Sequence, residues 1–246
     1  MNIKKHIPNA ITCCNLLCGC LALVQAFEGN LVYAAYLVGL GAIFDFFDGF
    51  AARMLKVSSA IGKDLDSLTD MVTFGVVPGV MMFQMLLMSI EIKEGMYSDR
   101  SWISDHSHYF AYGAFIITIF SAIRLAKFNN DTRQTDSFIG VPTPAVAMFI
   151  CSIPLILRFS EININLNPYT LILISCILSF LLISELPLFA LKFKHFKWKD
   201  NEIRFVFLGL SLVMLFTLQF VGIPLIIILY ILMSVVNNYL IKKPSV

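Results

Sequence analysis

The sequence predicts an all-α, polytopic membrane protein with about eight transmembrane helices. Three observations lead there. Of 246 residues, 58% are hydrophobic and only 14% are charged, where a soluble domain carries about a quarter. The mean hydropathy is +0.81, and the apolar residues come in runs of about 20, the length that crosses a bilayer as helix. The basic residues then sort onto one side of those runs. This pattern excludes a disordered chain, a nucleic-acid-binding tail protein and an ordinary cytosolic enzyme, and no nucleic-acid partner is expected.

The runs lie at roughly 9–27, 31–54, 65–89, 109–128, 142–160, 168–188, 204–222 and 224–242. With the N-terminus inside and the spans alternating, all but Lys93, Arg100 and Arg158 of the 18 Lys and Arg fall inside. That bias sets orientation. Merging two spans would put several bases on the wrong face, so residues 1–246 read as one integral domain with both termini cytoplasmic.

The first run follows Lys4 and Lys5, and Leu17-Cys18-Gly19-Cys20 faintly resembles a lipoprotein cleavage box. Asn9, Thr12 and Asn15 interrupt the apolar core that a signal peptide needs, so an intact N-terminus is expected. Asn9, Thr12, Asn15 and Gly19 recur every three to four residues and form one polar face, which in lipid must turn inward. Cys13, Cys14, Cys18 and Cys20 lack the paired spacing and polar surroundings of a zinc site; with Cys151 and Cys176 they read as small packing residues.

The second and third runs carry acid where lipid disfavours it: Asp45 and Asp48, then Asp66 and Asp70 after a start near Asp64. Each Asp at mid-span costs about 2.5–3.5 kcal/mol, less near the inner edge. Asp45 and Asp48 are three apart, Asp66 and Asp70 four apart, so each pair shares a helix face. The two helices are consecutive and antiparallel, joined by a short inside loop expected to contain Gly62. Asp45 lies about 12 Å above the end of its span near Arg53. One Arg cannot neutralise four carboxylates, whereas two Mg²⁺ or Mn²⁺ ions carry four positive charges and prefer oxygen ligands. Two-metal sites serve phosphoryl chemistry, and Gly49 would let a large group approach the helix. From the residues alone a cation path through a transporter stays open as the alternative.

The later runs are plainer. Arg124 and Lys127 close the fourth on the inner side, where they either anchor it or hold an anion. Pro142 and Pro144 open the fifth. Glu185, Asn237 and Asn238 sit late in their spans and read as snorkelling or packing residues. His106 and His108 belong to a polar outside loop at 90–108, read as surface. The mixed basic and aromatic segment 192–199 reads as an interface anchor on the inner face. Gly75-x-x-x-Gly79 is a spacing that permits close helix approach.

Asp45-x-x-Asp48-Gly49-x-x-Ala52-Arg53, then Gly62, Asp66 and Asp70, resembles the full signature of the CDP-alcohol phosphotransferases. The resemblance implies a membrane enzyme with a six-helix core, here plus two helices, and a catalytic motif at 45–70. Asp66-Ser67-Leu68-Thr69-Asp70-Met71, with Met71 where the glycerol-phosphate branch usually has Lys, is similar to the phosphatidylserine synthase branch. Segments 8–15, Arg124-Leu125-Ala126-Lys127-Phe128-Asn129 and Phe138–Ala145 agree, with Lys127 replacing an Arg, so the resemblance covers about 8–147.

The implied reaction moves a phosphatidyl group from CDP-diacylglycerol to L-serine, giving phosphatidylserine and CMP; glycerol phosphate or an inositol derivative is the alternative acceptor. Asp45, Asp48, Asp66 and Asp70 would hold two Mg²⁺ or Mn²⁺ ions, and Asp70 would serve as general base. Asn9, Thr12, Asn15, Gly49, Ala52, Arg53 and Gly62 would contact the CDP-lipid, and Arg124, Lys127 and Asn129 the acceptor. The resemblance also implies a homodimer, and a cell-membrane enzyme whose site faces the cytoplasm.

Overall fold

A computed structural model describes residues 6–96, 109–131, 137–161, 167–189, 198 and 201–241. Lys4, Lys5, Arg100, His106, His108, Arg133, Lys242, Lys243 and the segment 192–199 apart from Trp198 lie outside the described residues, as does the side chain of Lys93.

Helix α1 (His6–Phe27) and α2 (Leu31–Leu55) form an antiparallel hairpin turned at Gly29, whose φ of 78° suits a residue without Cβ. Lys56 ends α2 in the left-handed conformation. Ser59 then caps α3 (Ala60–Asp70), accepting from the Gly62 amide at 3.0 Å. Gly62 therefore sits in the first turn of the helix, not in the loop expected of it, because the cap starts the helix at Ala60 and leaves only the residues at 56–59 to reverse the chain.

After Asp70 the chain winds through a π-helical stretch, Met71–Val76, and continues as α4 (Val77–Met96). Such stretches are rare and concentrate at functional sites. This one is packed from both sides through glycines. A Cβ on Gly19 would lie 2.5 Å from Thr73 Oγ1, and one on Gly41 2.8 Å from Thr73 Cγ2. On the far side, Thr118 Oγ1 donates to the Gly75 carbonyl at 3.1 Å, and Gly79 has no room for a side chain beside Thr118. The Gly75-x-x-x-Gly79 spacing is thus spent within the chain.

A 3₁₀ turn (Tyr112–Phe115) leads into α5 (Ile116–Asn130), followed by β1 (Ser137–Ile139). Pro142 and Pro144 open α6 (Thr143–Phe159), as their fixed φ favours. Next come α7 (Pro168–Ile183) and β2 (Pro187–Phe189), which pairs antiparallel with β1, Phe138 opposite Leu188. Among the described residues this short ladder is the one departure from helical structure and its connecting turns.

By length and hydropathy, His6–Phe27, Leu31–Leu55, Ala60–Ile90, Tyr109–Asn130 and Glu202–Asn238 qualify as spans, with Thr143–Phe159 and Pro168–Ile183 as shorter apolar helices. The last long stretch is two helices, α8 (Glu202–Leu218) and α9 (Gly222–Ile241), divided by the 3₁₀ turn Gln219–Val221. A Cβ on Gly222 would lie 2.7 Å from the Met214 carbonyl oxygen, and the Phe207 and Tyr230 rings meet at 5.5 Å, so the chain doubles back there. The core is centred on α4, where Met81, Met82, Met85 and Leu86 are fully buried beside Phe74 and Ile150.

Candidate active site

Four carboxylates meet between α2 and α3. Antiparallel pairing of α1 and α2 brings Thr12 opposite Asp48, and the Thr12 hydroxyl lies 2.7 Å from Asp48 Oδ2 and 3.0 Å from the Pro8 carbonyl. Asp48 is 5% exposed, so this hydroxyl, with the Gly49 amide, replaces part of its lost water. Asp45, Asp48 and Asp66 each offer an oxygen within 4.8 Å of the others. Asp70, one turn beyond Asp66, stands within hydrogen-bond reach of Asp45, and its Oδ1 is buried with no hydrogen-bond partner among the described residues.

A cleft of about 260 Å³ opens beside the triad. One wall is α1 (Pro8, Asn9, Thr12), another is α2 (Asp48, Gly49, Ala52), and the third is the turn and start of α3. Asn9, Thr12, Gly49, Ala52 and Gly62, expected from the sequence to contact a CDP-lipid, all line it. Arg53 and Asn15 do not. The Arg53 guanidinium would stand 3.5 Å from a Cβ on Gly49, at the edge of the cleft. Asn15 is wholly buried behind the aspartates, its amide atoms without hydrogen-bond partners among the described residues, and its carbonyl accepts from Thr73 at 3.3 Å. Thr12 meets Asp48, and Asn15, three residues further along α1, turns toward Gly41 and the π stretch instead.

The three expected acceptor residues do not converge. Arg124 is buried on the far side of Asp70, within its electrostatic reach, 3.5 Å from Thr143 Oγ1 and 5.0 Å over the Phe128 ring. Lys127 is exposed. Asn129 instead clasps α3, donating to Ser67 Oγ at 2.8 Å and accepting on its carbonyl from Lys63 Nζ at 3.1 Å. Lys63, Ser58 and Ser59 line the cleft without having been singled out in the sequence. Their signal was slight: a polar turn between two acidic helices.

The family model for CDP-alcohol phosphatidyltransferase matches residues 5–191. The chain belongs to the CDP-alcohol phosphatidyltransferase family. It is a membrane enzyme of that family, and the matched region spans the cleft, the four carboxylates and the helices through α7. Among curated relatives, it is 33% identical over 193 residues to the CDP-diacylglycerol–serine O-phosphatidyltransferase of Bacillus subtilis (strain 168), covering 78% of this chain and 92% of that protein. The protein of the same name from Helicobacter pylori (strain J99) is 32% identical over 145 residues, 58% of this chain and 54% of that one. The archaetidylserine synthase of Methanothermobacter thermautotrophicus is 28% identical over 170 residues, 66% of each.

Placed in this family, the triad has a clear chemical reading. Three carboxylate oxygens converging from two helices form the hard, all-oxygen donor set that a divalent cation takes, so the residues fit such an ion.

Proposed function

We propose that this enzyme transfers the phosphatidyl group of CDP-diacylglycerol to the hydroxyl of L-serine, yielding phosphatidylserine and CMP. The convergence of Asp45, Asp48 and Asp66 beside a cleft walled by Asn9, Gly49, Ala52 and Gly62 carries the reading. The serine acceptor is supported by the relatives from B. subtilis and H. pylori, whose names specify serine.

The small residues Gly49, Ala52 and Gly62 leave the cleft wide enough for the cytidine diphosphate portion, with Asn9 to hydrogen-bond it and Arg53 at its edge. Thr12 fixes the orientation of Asp48. Two Mg²⁺ or Mn²⁺ ions held by Asp45, Asp48, Asp66 and Asp70 would neutralise the diphosphate and the charge developing on CMP. Asp70 accepts the proton of the serine hydroxyl. The serine oxygen bonds to the lipid-side phosphorus as the bond from that phosphorus to the CMP oxygen breaks, and CMP departs with the electron pair. Arg124, buried beside Asp70, supplies a positive charge for the serine carboxylate.

On this proposal the enzyme works in the cytoplasmic membrane as a homodimer, its cleft and both termini facing the cytoplasm, where a soluble amino acid arrives without crossing lipid. The bias of Lys and Arg toward that side supports the orientation. The test is CMP release from CDP-diacylglycerol by purified protein in detergent, with Mg²⁺ or Mn²⁺ and a panel of serine, glycerol phosphate and inositol phosphate. Serine-dependent release abolished by chelator is expected. Release with another acceptor alone would discard the serine assignment and keep the site. Absence of release with every acceptor, together with cation flux in liposomes, would discard the transferase reading of this chain.

A further inference from the structure

Lys63 lies within 45–70 at a position the spaced signature leaves open, and it has no role in the reaction as described so far. Its placement gives it one. Among the described residues that line the cleft it is the one cation, in a lining that also holds Asp48 and Asp66. Arg53 stands at the edge over Gly49 and does not line it. The Lys63 ammonium is held only by a neutral group, the Asn129 carbonyl at 3.1 Å, and forms no ion pair among the described residues. A backbone carbonyl satisfies one of the three donors of an ammonium and none of its charge. The side chain is exposed, so its four-carbon stem can swing without unpacking the core.

A cleft with acidic walls repels any anion that enters it unless cations are supplied at the place where the anion sits. The diphosphate of a cytidine-diphospho lipid is such an anion. Metal held by the triad would answer the charge beside Asp45, Asp48 and Asp66. At the outer end, toward the turn at Val57–Ser59, the cleft offers Lys63. We propose that Lys63 binds the diphosphate of the nucleotide-lipid donor, exchanging the Asn129 carbonyl for a phosphate oxygen when the donor enters. The exchange loosens the clasp between α3 and the end of α5, the helix that carries Arg124. Donor binding is thereby linked to the acceptor side. This inference rests on the transferase reading of the cleft.

The experiment measures binding of CDP and of CMP to the purified full-length protein in detergent with Mg²⁺, for wild type, Lys63→Met, Lys63→Gln and Lys63→Arg, each shown monodisperse by gel filtration. Wild type should bind CDP. Lys63→Met and Lys63→Gln should both weaken CDP by about tenfold, the value of one charge-assisted hydrogen bond at a solvent-open site, and weaken CMP less. Lys63→Arg should restore most of the affinity. With CDP-diacylglycerol as substrate, KM should rise more than kcat falls. Lys63→Gln keeps a donor for the Asn129 carbonyl but no charge, so wild-type CDP affinity in that variant would reduce Lys63 to a clasp and overturn the proposal. Equal losses for CDP and CMP would overturn the assignment to the diphosphate. Failure of the folded wild type to bind CDP would instead overturn the reading of the cleft on which the proposal stands.

Discussion

The stretch Ala60–Ile90 and the stretch Glu202–Asn238 are both long and apolar, yet 61% of the apolar window in the first is buried inside the protein against 11% in the second. The first threads the middle of the molecule. It is gripped by glycines of α1 and α2 on one side and by α5 on the other, and it carries Asp66 and Asp70. The second is a hairpin whose α8 turns Leu212, Val213 and Phe216 outward, where lipid would meet them. It is tied to the rest along α9, where Tyr230 donates to the Phe189 carbonyl at 2.8 Å and Asn238 donates to the Pro187 carbonyl, and at its turn, where the Phe220 ring meets Phe159 at 5.4 Å. Both stretches are apolar enough to cross a bilayer, with hydropathies of 1.8 and 2.6, yet they are unequally constrained. A helix facing lipid needs only to be apolar, whereas one that carries acid at depth needs neighbours that fit it atom by atom.

The contrast breaks most readily at the carboxylates. Asp45→Asn or Asp66→Asn should lower CMP release by about 10³-fold or more and abolish metal binding, since the charge stabilisation supplied by an ion goes with its ligands. Isothermal titration with Mn²⁺ beside the activity assay checks both parts. Asp70→Asn should cost about 10²–10⁴-fold in turnover, the range of a lost general base, while CDP-lipid binding persists. Near-normal rates in that variant would remove the base assignment.

A smaller effect tests the support beneath the site. Thr12→Val removes the hydroxyl 2.7 Å from Asp48 and nothing larger. It should weaken metal affinity or activity by about 10–100-fold, as loss of a group that orients a metal ligand does. Gly19→Val places bulk against Thr73, where a Cβ alone has 2.5 Å. It should destabilise the fold by about 1–3 kcal/mol, the penalty for overpacking a tight contact, seen as a lower thermal inactivation temperature. Phe216→Leu, on the outer face of α8 at 83% exposure, should shift stability by no more than about 0.5 kcal/mol. A large loss there would show that the hairpin is an interface and erase the contrast.

Much of this was legible in one dimension because bilayer physics writes itself into composition. Apolar runs and the placement of Lys and Arg announce spans without reference to partners. The spacing of Asp45 with Asp48 and of Asp66 with Asp70 announces shared faces, because the helix repeat is fixed by the backbone. Prolines at 142 and 144 announce a helix start for the same kind of local reason.

What the sequence did not settle depended on contacts between distant segments. Whether Gly75 and Gly79 serve another chain or the α5 of this one is decided by Thr118, 43 residues from Gly75. Asn15 and Thr12 share a polar stripe in the sequence, but only the register of α1 on α2 puts Thr12 on Asp48 and Asn15 behind it. Arg124 and Asn129 sit in one short segment, yet packing divides them, one beside Asp70 and the other clasping Ser67 and Lys63. The chain by itself determined which chemical groups are present and at what spacing along each helix. The tertiary structure decided which of those groups share a cavity, because side-chain direction at a helix interface follows from packing that no local pattern records.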